Sequence, residues 1–235
     1  MDKEYIKKAI DSTQRAQRNY DLSKTISDED LNLLIYAAAN SPSKQNETHF
    51  SLHVYTDPEI IKIIYNNTQK FTLGAREALA DGKTEEWLYE NQSVKNSQIL
   101  ANVLFVYVDD SGEARGATHI NAKKDDPFSK SVYQEQKNYS IGISIGELLL
   151  TASMLGYKTG ICSAFNPDPL SKLLGSEPKL LVGIGFENST VDRRLHAETT
   201  NAEIPEQFRN GDLNEKWRFP SFDKKLKIFI NGSVQ

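Results

Sequence analysis

A single cysteine, Cys162, occurs in 235 residues. An internal disulfide is therefore impossible and a cysteine-built zinc site is excluded, so a reducing, cytoplasmic setting is expected. Positive charge is not in excess: 28 Lys and Arg stand against 32 Asp and Glu, a net charge of -4. No basic field argues for nucleic acid. No stretch reaches the ~20 mainly apolar residues a bilayer requires, so no membrane partner is expected. Met1 to Lys8 lacks the apolar core of an export signal. Repeats, low-complexity tracts and a phosphate-binding loop ending in Lys-Ser/Thr are missing as well. His49, His53, His119 and His196 stand in no metal-ligand spacing; His49 and His53 are four apart but fall on a loop and a strand. Gly183 and Gly185 resemble part of a dinucleotide fingerprint, but neither a third glycine nor a helix follows.

What is present suits a globular chain. Hydrophobic residues make up 38% and charged residues 26%, enough to bury a core in one large domain or two small ones. The stretch from Asn138 to Gly156 dominates. Ile141, Ile145, Leu148, Leu149, Ala152 and Leu155 recur at helical spacing. Ile143, Leu150 and Met154 lie off that stripe, which predicts a helix buried on most sides. Ser140, Gly142, Ser144 and Gly146 are small enough to admit another backbone. That fits either a core helix or one that also packs on its copy in a homodimer. Gly156 is a natural stop, and Gly160 a second turn signal.

Around this helix the chain reads as alternating elements. Asp2 to about Arg15 predicts a helix, with Arg15 and Arg18 three apart on one side of its last turn. Taken alone, that pair fits a solvated basic helix end more simply than an anion site. Ser27 to Asp30 is a capping-box start, and the helix it opens breaks before Pro42. The loop from Ser41 to Phe50 is dense in polar side chains, with Ser43, Lys44 and Asn46 able to grip a polar ligand. Ser51–Thr56 predicts a strand, and Asp57-Pro58 opens a helix over Glu59 to about Thr68. Residues 71–98 read as polar and weakly helical, 103–108 as a central strand, and 109–129 as loop. Residues 167–174 predict a short helix, 179–186 a strand and 225–230 a last, edge strand. The alternation argues a layered α+β or α/β sheet.

Taken in order, these stretches resemble the FMN-dependent nitroreductase family. Gln14-Arg15-Ala16-Gln17-Arg18-Asn19-Tyr20 resembles that family's Arg-Arg-Ser-x-Arg-x-Phe motif. Ser41-Pro42-Ser43-Lys44-Gln45-Asn46-Glu47-Thr48-His49-Phe50 is similar to its Ala-Pro-Ser-x-x-Asn-x-Gln-Pro-Trp loop. Leu155-Gly156, the turn from Gly160 to Phe165, the step Gly185-Phe186-Glu187 and the cluster Arg193-Arg194 follow in the family's order.

The resemblance implies an α+β fold, a central mainly antiparallel sheet flanked by helices, in an intertwined homodimer. One domain would span 1–235, its extension from about 199 to 235 reaching the partner subunit. Two FMN sites would lie between the subunits. Gln14, Arg15, Ala16 and Arg18 would come from one chain, and Pro42, Ser43, Lys44 and Asn46 from the other. Arg194, with Arg193, would meet the phosphate, and Cys162, Ser163 and Ala164 would lie beside the isoalloxazine. No side-chain acid or base would be obligatory, because flavin N5 carries the chemistry. NAD(P)H would reduce the flavin, and a nitroaromatic, quinone or related acceptor would reoxidise it in a ping-pong cycle. Gln14 and Ala16 depart from the motif where the family has Arg and Ser. Alternatives are a specialised relative, such as a reductive dehalogenase or a dehydrogenase, a flavin-binding protein without turnover, and a cofactor-free interaction protein.

Overall fold

The computed structural model describes residues 2–47, 50–72, 79–91, 93–109, 126–191, 193, 195, 229–230 and 233–234. Helix α1 runs over Lys3–Thr13, capped by the Asp2 carboxylate, which accepts the Glu4 N–H at 2.9 Å. Helix α2, Asp28–Ala39, starts where the capping signal predicts: Ser27 Oγ accepts the Asp30 N–H at 3.1 Å. The Asp30 carboxylate accepts the Tyr157 hydroxyl instead, at 2.5 Å. Strand β1 covers Phe50–Tyr55, and α3 covers Pro58–Asn66, with Asp57 as cap and Pro58 in the first turn. Strand β2 (Lys70–Thr72), helix α4 (Glu85–Asn91) and strand β3 (Ser93–Lys95) follow, then β4 (Val103–Asp109). Helix α5 (Pro127–Met154) leads to β5 (Lys158–Cys162), α6 (Pro167–Leu174) and β6 (Pro178–Gly185). Gly175 ends α6 with φ 73°, a left-handed stop that favours glycine. Strands β7 (Phe229–Ile230) and β8 (Ser233–Val234) form a separate hairpin.

The main sheet has the order β1-β4-β6-β5, with every neighbouring pair antiparallel. This is the α+β antiparallel sheet that the family resemblance implies. Alternation in β4 divides the core between two faces. Val103, Phe105 and Tyr107 point to α2 and α5, where Leu34, Ala38, Ile145, Leu148 and Ala152 meet them. Leu104, Val106 and Val108 point to the other face, against Ile61 and Ile64 of α3 and Leu170 of α6. Each such buried Val, Leu or Ile contributes roughly 1.5–3 kcal/mol. One polar contact crosses the first face. Buried Ser144 donates to the Ala38 carbonyl at 2.7 Å, so the Tyr107 hydroxyl, 3.0 Å away, donates to Ser144. Burial pushes the Tyr107 hydroxyl up to about 12.

Several expectations need correction. Helix α1 ends at Thr13, so Arg15 and Arg18 do not share a helical turn. Arg15 is exposed and Arg18 buried, because the Gln17 N–H leaves helical pairing and donates to the Thr159 carbonyl on β5. Helix α5 begins at Pro127, capped by Asp126, well before Asn138, where the apolar stretch starts. Its first turns are polar, and periodicity alone hid them. One side of α5 stays open: Ser140 and Ser144 face inward, whereas Gly142, Gly146, Tyr139 and Ile143 face out. The stretch read as a turn from Gly160 begins within strand β5 (Lys158–Cys162), the fourth of the sheet. Residues 70–98 contain the β2–β3 hairpin besides a helix. The last predicted strand lies mostly outside the described residues. Its Phe229 and Ile230 pair with β8, not with the main sheet.

Candidate functional site

Two polar regions stand at opposite edges of the sheet. The first lies along β5. The segment after α1 runs beside this edge strand, with Gln17 N–H on the Thr159 carbonyl at 2.8 Å and a bridge from Tyr20 to Glu187. Next to it sits the 3-10 turn Ser97–Ile99. Three glycines make room for this layer. Gly160 on β5 pairs with Gly183 on β6. A Cβ on Gly183 would lie 2.2 Å from the Gln98 carbonyl oxygen, and one on Gly160 would lie 2.9 Å from it. A Cβ on Gly185 would meet Asn102 Oδ1 at 2.0 Å. The glycine pattern of β6 therefore serves packing, in agreement with setting the dinucleotide fingerprint aside.

Within that corner the charges gather. The Arg18 N–H donates to the Arg193 carbonyl at 3.1 Å. Both guanidiniums donate to the Ala16 carbonyl, at 3.4 Å from Arg18 and 3.3 Å from Arg193. Burial, and next the Arg193 charge, lower Arg18 from the ordinary arginine value to about 10. Two cations converge on one neutral oxygen, a geometry that suits an anion. Ala16 is half-buried, and Gln14 and Arg15 are exposed beside the pair. At the far end of β5, Cys162 is buried, Ala164 half-buried and Ser163 exposed. Burial pushes the Cys162 thiol up to about 11, so it is no nucleophile at neutral pH. The Ala164 carbonyl accepts the Gln69 N–H at 2.9 Å, which roots the β2–β3 hairpin at the same corner.

The second region is a crevice of about 420 Å³ where α2 hands over to β1. Ala39, Asn40, Ser41, Ser43, Asn46, Glu47, Phe50 and Leu52 line it. Lys44 opens the 3-10 turn Lys44–Asn46, and Pro42 and Lys44 are exposed. Asn46 has φ 57°, the non-glycine left-handed residue among those described. Such a conformation costs of order 1 kcal/mol and collects at ligand sites.

The structure thus joins Arg15, Ala16, Arg18 and Arg193 along one edge, with Cys162, Ser163 and Ala164 at the end of the same strand. It joins Pro42, Ser43, Lys44 and Asn46 at the other edge. Three strand spacings, about 14 Å, separate those edges. Arg194 lies outside the described residues. The sequence reading missed Gln17, Asn19, Asn96 and Ser97, all buried polar residues of the first corner. The run Asn96-Ser97-Gln98, polar just before an apolar strand, was the available signal. Among the described residues no group of three metal-ligating side chains occurs, and no helix is long and apolar enough to cross a membrane.

A model of the nitroreductase family matches residues 12–186. No curated protein sequence matches the chain. Solved structures do. NfrA2 from B. megaterium is 18% identical, with 88% of this chain and 77% of that one covered and a TM-score of 0.55. Nitroreductase A from Vibrio parahaemolyticus is 15% identical, with 88% and 80% covered and a TM-score of 0.55. A candidate NAD(P)H:FMN oxidoreductase from Staphylococcus epidermidis is 13% identical, with 85% and 94% covered and a TM-score of 0.54. At these identities the likeness concerns the fold.

Proposed function

The chain belongs to the nitroreductase family of flavin oxidoreductases, and from that premise we propose that it binds FMN and takes electrons from NAD(P)H. The reduced flavin then passes them to a nitroaromatic, quinone or related acceptor in a ping-pong cycle. One observation carries the reading: Arg18 and Arg193 converge on the Ala16 carbonyl in a corner that holds Arg18 well below its ordinary pKa. FMN offers such a pair both a phosphate and a ring that turns anionic on reduction. Bound there, FMN supplies the hydride chemistry. Arg15, Arg18, Arg193 and Arg194 would hold its negative charge, with Gln14 and Ala16 beside them. Cys162, Ser163 and Ala164 would offer backbone to the ring.

The proposal extends to a homodimer. The polar loop with Pro42, Ser43, Lys44 and Asn46 leads into β1, the edge of the sheet opposite the β5 edge beside which Arg18 lies. A second copy would bring the missing half. The open side of α5 supports this, since Gly142 and Gly146 would carry a Cβ that meets nothing within 4 Å. Tyr139 and Ile143 are exposed beside them. The single domain would then include a segment from about 199 to 235 reaching the partner, and the protein would work in the cytoplasm.

Anaerobic titration tests the function. Purified protein reconstituted with FMN should be yellow, bleach on addition of NADH or NADPH, and recover colour with p-benzoquinone. Protein that retains no FMN refutes the proposal. FMN-loaded protein that no nicotinamide bleaches would instead be a binding protein without turnover.

A further inference from the structure

We propose that Ser97 is a positioning residue of this corner: its hydroxyl fixes the Arg18 peptide, and through it the direction of the guanidinium. The inference rests on the proposed FMN site and adds to it a residue that does not itself carry charge. Ser97 is fully buried, and its Oγ donates to the Arg18 carbonyl at 2.7 Å. The Arg18 N–H is held by Arg193 at 3.1 Å and the preceding Gln17 N–H by Thr159 at 2.8 Å. Both sides of the Arg18 residue are therefore tied, one to the second arginine and one to Ser97.

Ser97 is itself immobile for a visible reason. It opens a 3-10 turn that the Gly160 and Gly183 pair admits against the sheet. Asn96 Oδ1 caps that turn by accepting the Gln98 N–H at 3.2 Å. A hydroxyl on such a base locates the carbonyl it binds. An arginine side chain is a long lever, so a small tilt of its peptide moves the guanidinium by a large fraction of an ångström. Ion contacts lose much of their worth over such distances. Strand β3 runs directly into Asn96, so the β2–β3 hairpin and the arginine corner share one anchor.

A double-mutant cycle on FMN affinity is the test, read by quenching of flavin fluorescence in the full-length protein. Ser97→Ala should weaken FMN binding about fivefold, the loss of one neutral hydrogen bond. Arg18→Gln should weaken it at least about tenfold. If Ser97 acts through Arg18, the double variant binds FMN like Arg18→Gln alone, within about twofold. A fivefold further loss in the double variant overturns the proposal. The midpoint potential of bound FMN gives a second readout: in Ser97→Ala it should move in the direction that Arg18→Gln moves it. A lower melting temperature with unchanged affinity and potential means Ser97 only supports the fold, and also overturns the proposal. Ser97→Cys, of similar shape and with a weak donor, should fall between wild type and Ser97→Ala, and stands in if the alanine variant does not fold. Absence of FMN binding by the unaltered protein removes the proposed function and this inference together. Tight binding with an additive cycle removes only the inference.

Discussion

Replacing Arg18 should stabilise the FMN-free protein while damaging cofactor binding. Arg18 is 6% exposed, and its pKa is lowered well below the ordinary arginine value, to about 10, by burial and by Arg193. At 1.36 kcal/mol per pKa unit, keeping it charged costs the fold about 3 kcal/mol. The folded pKa lies below the unfolded one, so the folded state holds its proton less tightly. The cost is complete below about pH 10 and disappears only above it, as the pH rises toward the ordinary arginine value and the stability contributed by this group climbs. At neutral pH, Arg18→Gln removes the charge and the cost, and loses some packing with the shorter side chain. We expect the flavin-free variant to melt about 3–6 °C higher than wild type. The same substitution removes a charged hydrogen bond to an anionic ligand, worth roughly 1.5–3 kcal/mol, or about 10–150-fold in affinity for FMN. Scanning calorimetry on stripped protein and fluorescence titration with FMN read the two effects separately. Wild-type affinity should also hold steady from pH 7 to 9 and fall above about pH 10, as the cation is lost. A variant that melts lower and binds FMN as well as wild type would refute the reasoning, because Arg18 would then be an ordinary structural cation.

Two glycine substitutions should act in contrasting ways. Gly183→Ala places a Cβ 2.2 Å from the Gln98 carbonyl oxygen, so backbone must move. A loss above about 3 kcal/mol is expected in urea unfolding, and a loss below 1 kcal/mol would mean the 3-10 turn yields freely. Gly142→Leu adds a side chain where nothing lies within 4 Å in one chain, on an exposed helix face. The single chain gains helix propensity, up to roughly 1 kcal/mol. If α5 meets its copy there, sedimentation should show dissociation together with loss of FMN; an intact, FMN-loaded dimer would move the interface elsewhere.

Much of the scaffold was legible in the residues themselves. Helix starts at Asp28 and Pro58, the stop at Gly175, and the strands at 50–55, 103–109 and 178–185 were all written locally. A cap or a period involves residues at most four apart, which a sequence displays directly. The ordered motifs carried the family, and with it the antiparallel sheet. What the sequence could not display was contact between distant segments. Arg15 and Arg18 looked like a helical pair because nothing near them reveals that Thr159 takes the Gln17 N–H. Ser97 looked like any polar loop residue until folding set its hydroxyl on the Arg18 carbonyl, 79 residues away in sequence. Gly183 and Gly185 looked like part of a nucleotide motif until Gln98 and Asn102 were seen to press on them.

The sequence by itself determined the family and those elements that a local cap or period marks. The tertiary structure decided which edge of the sheet each polar segment joins, and that two guanidiniums share one carbonyl. The reason is physical: helices and strands follow from neighbours along the chain, whereas a charged corner exists only once strands pair and bring remote backbone together.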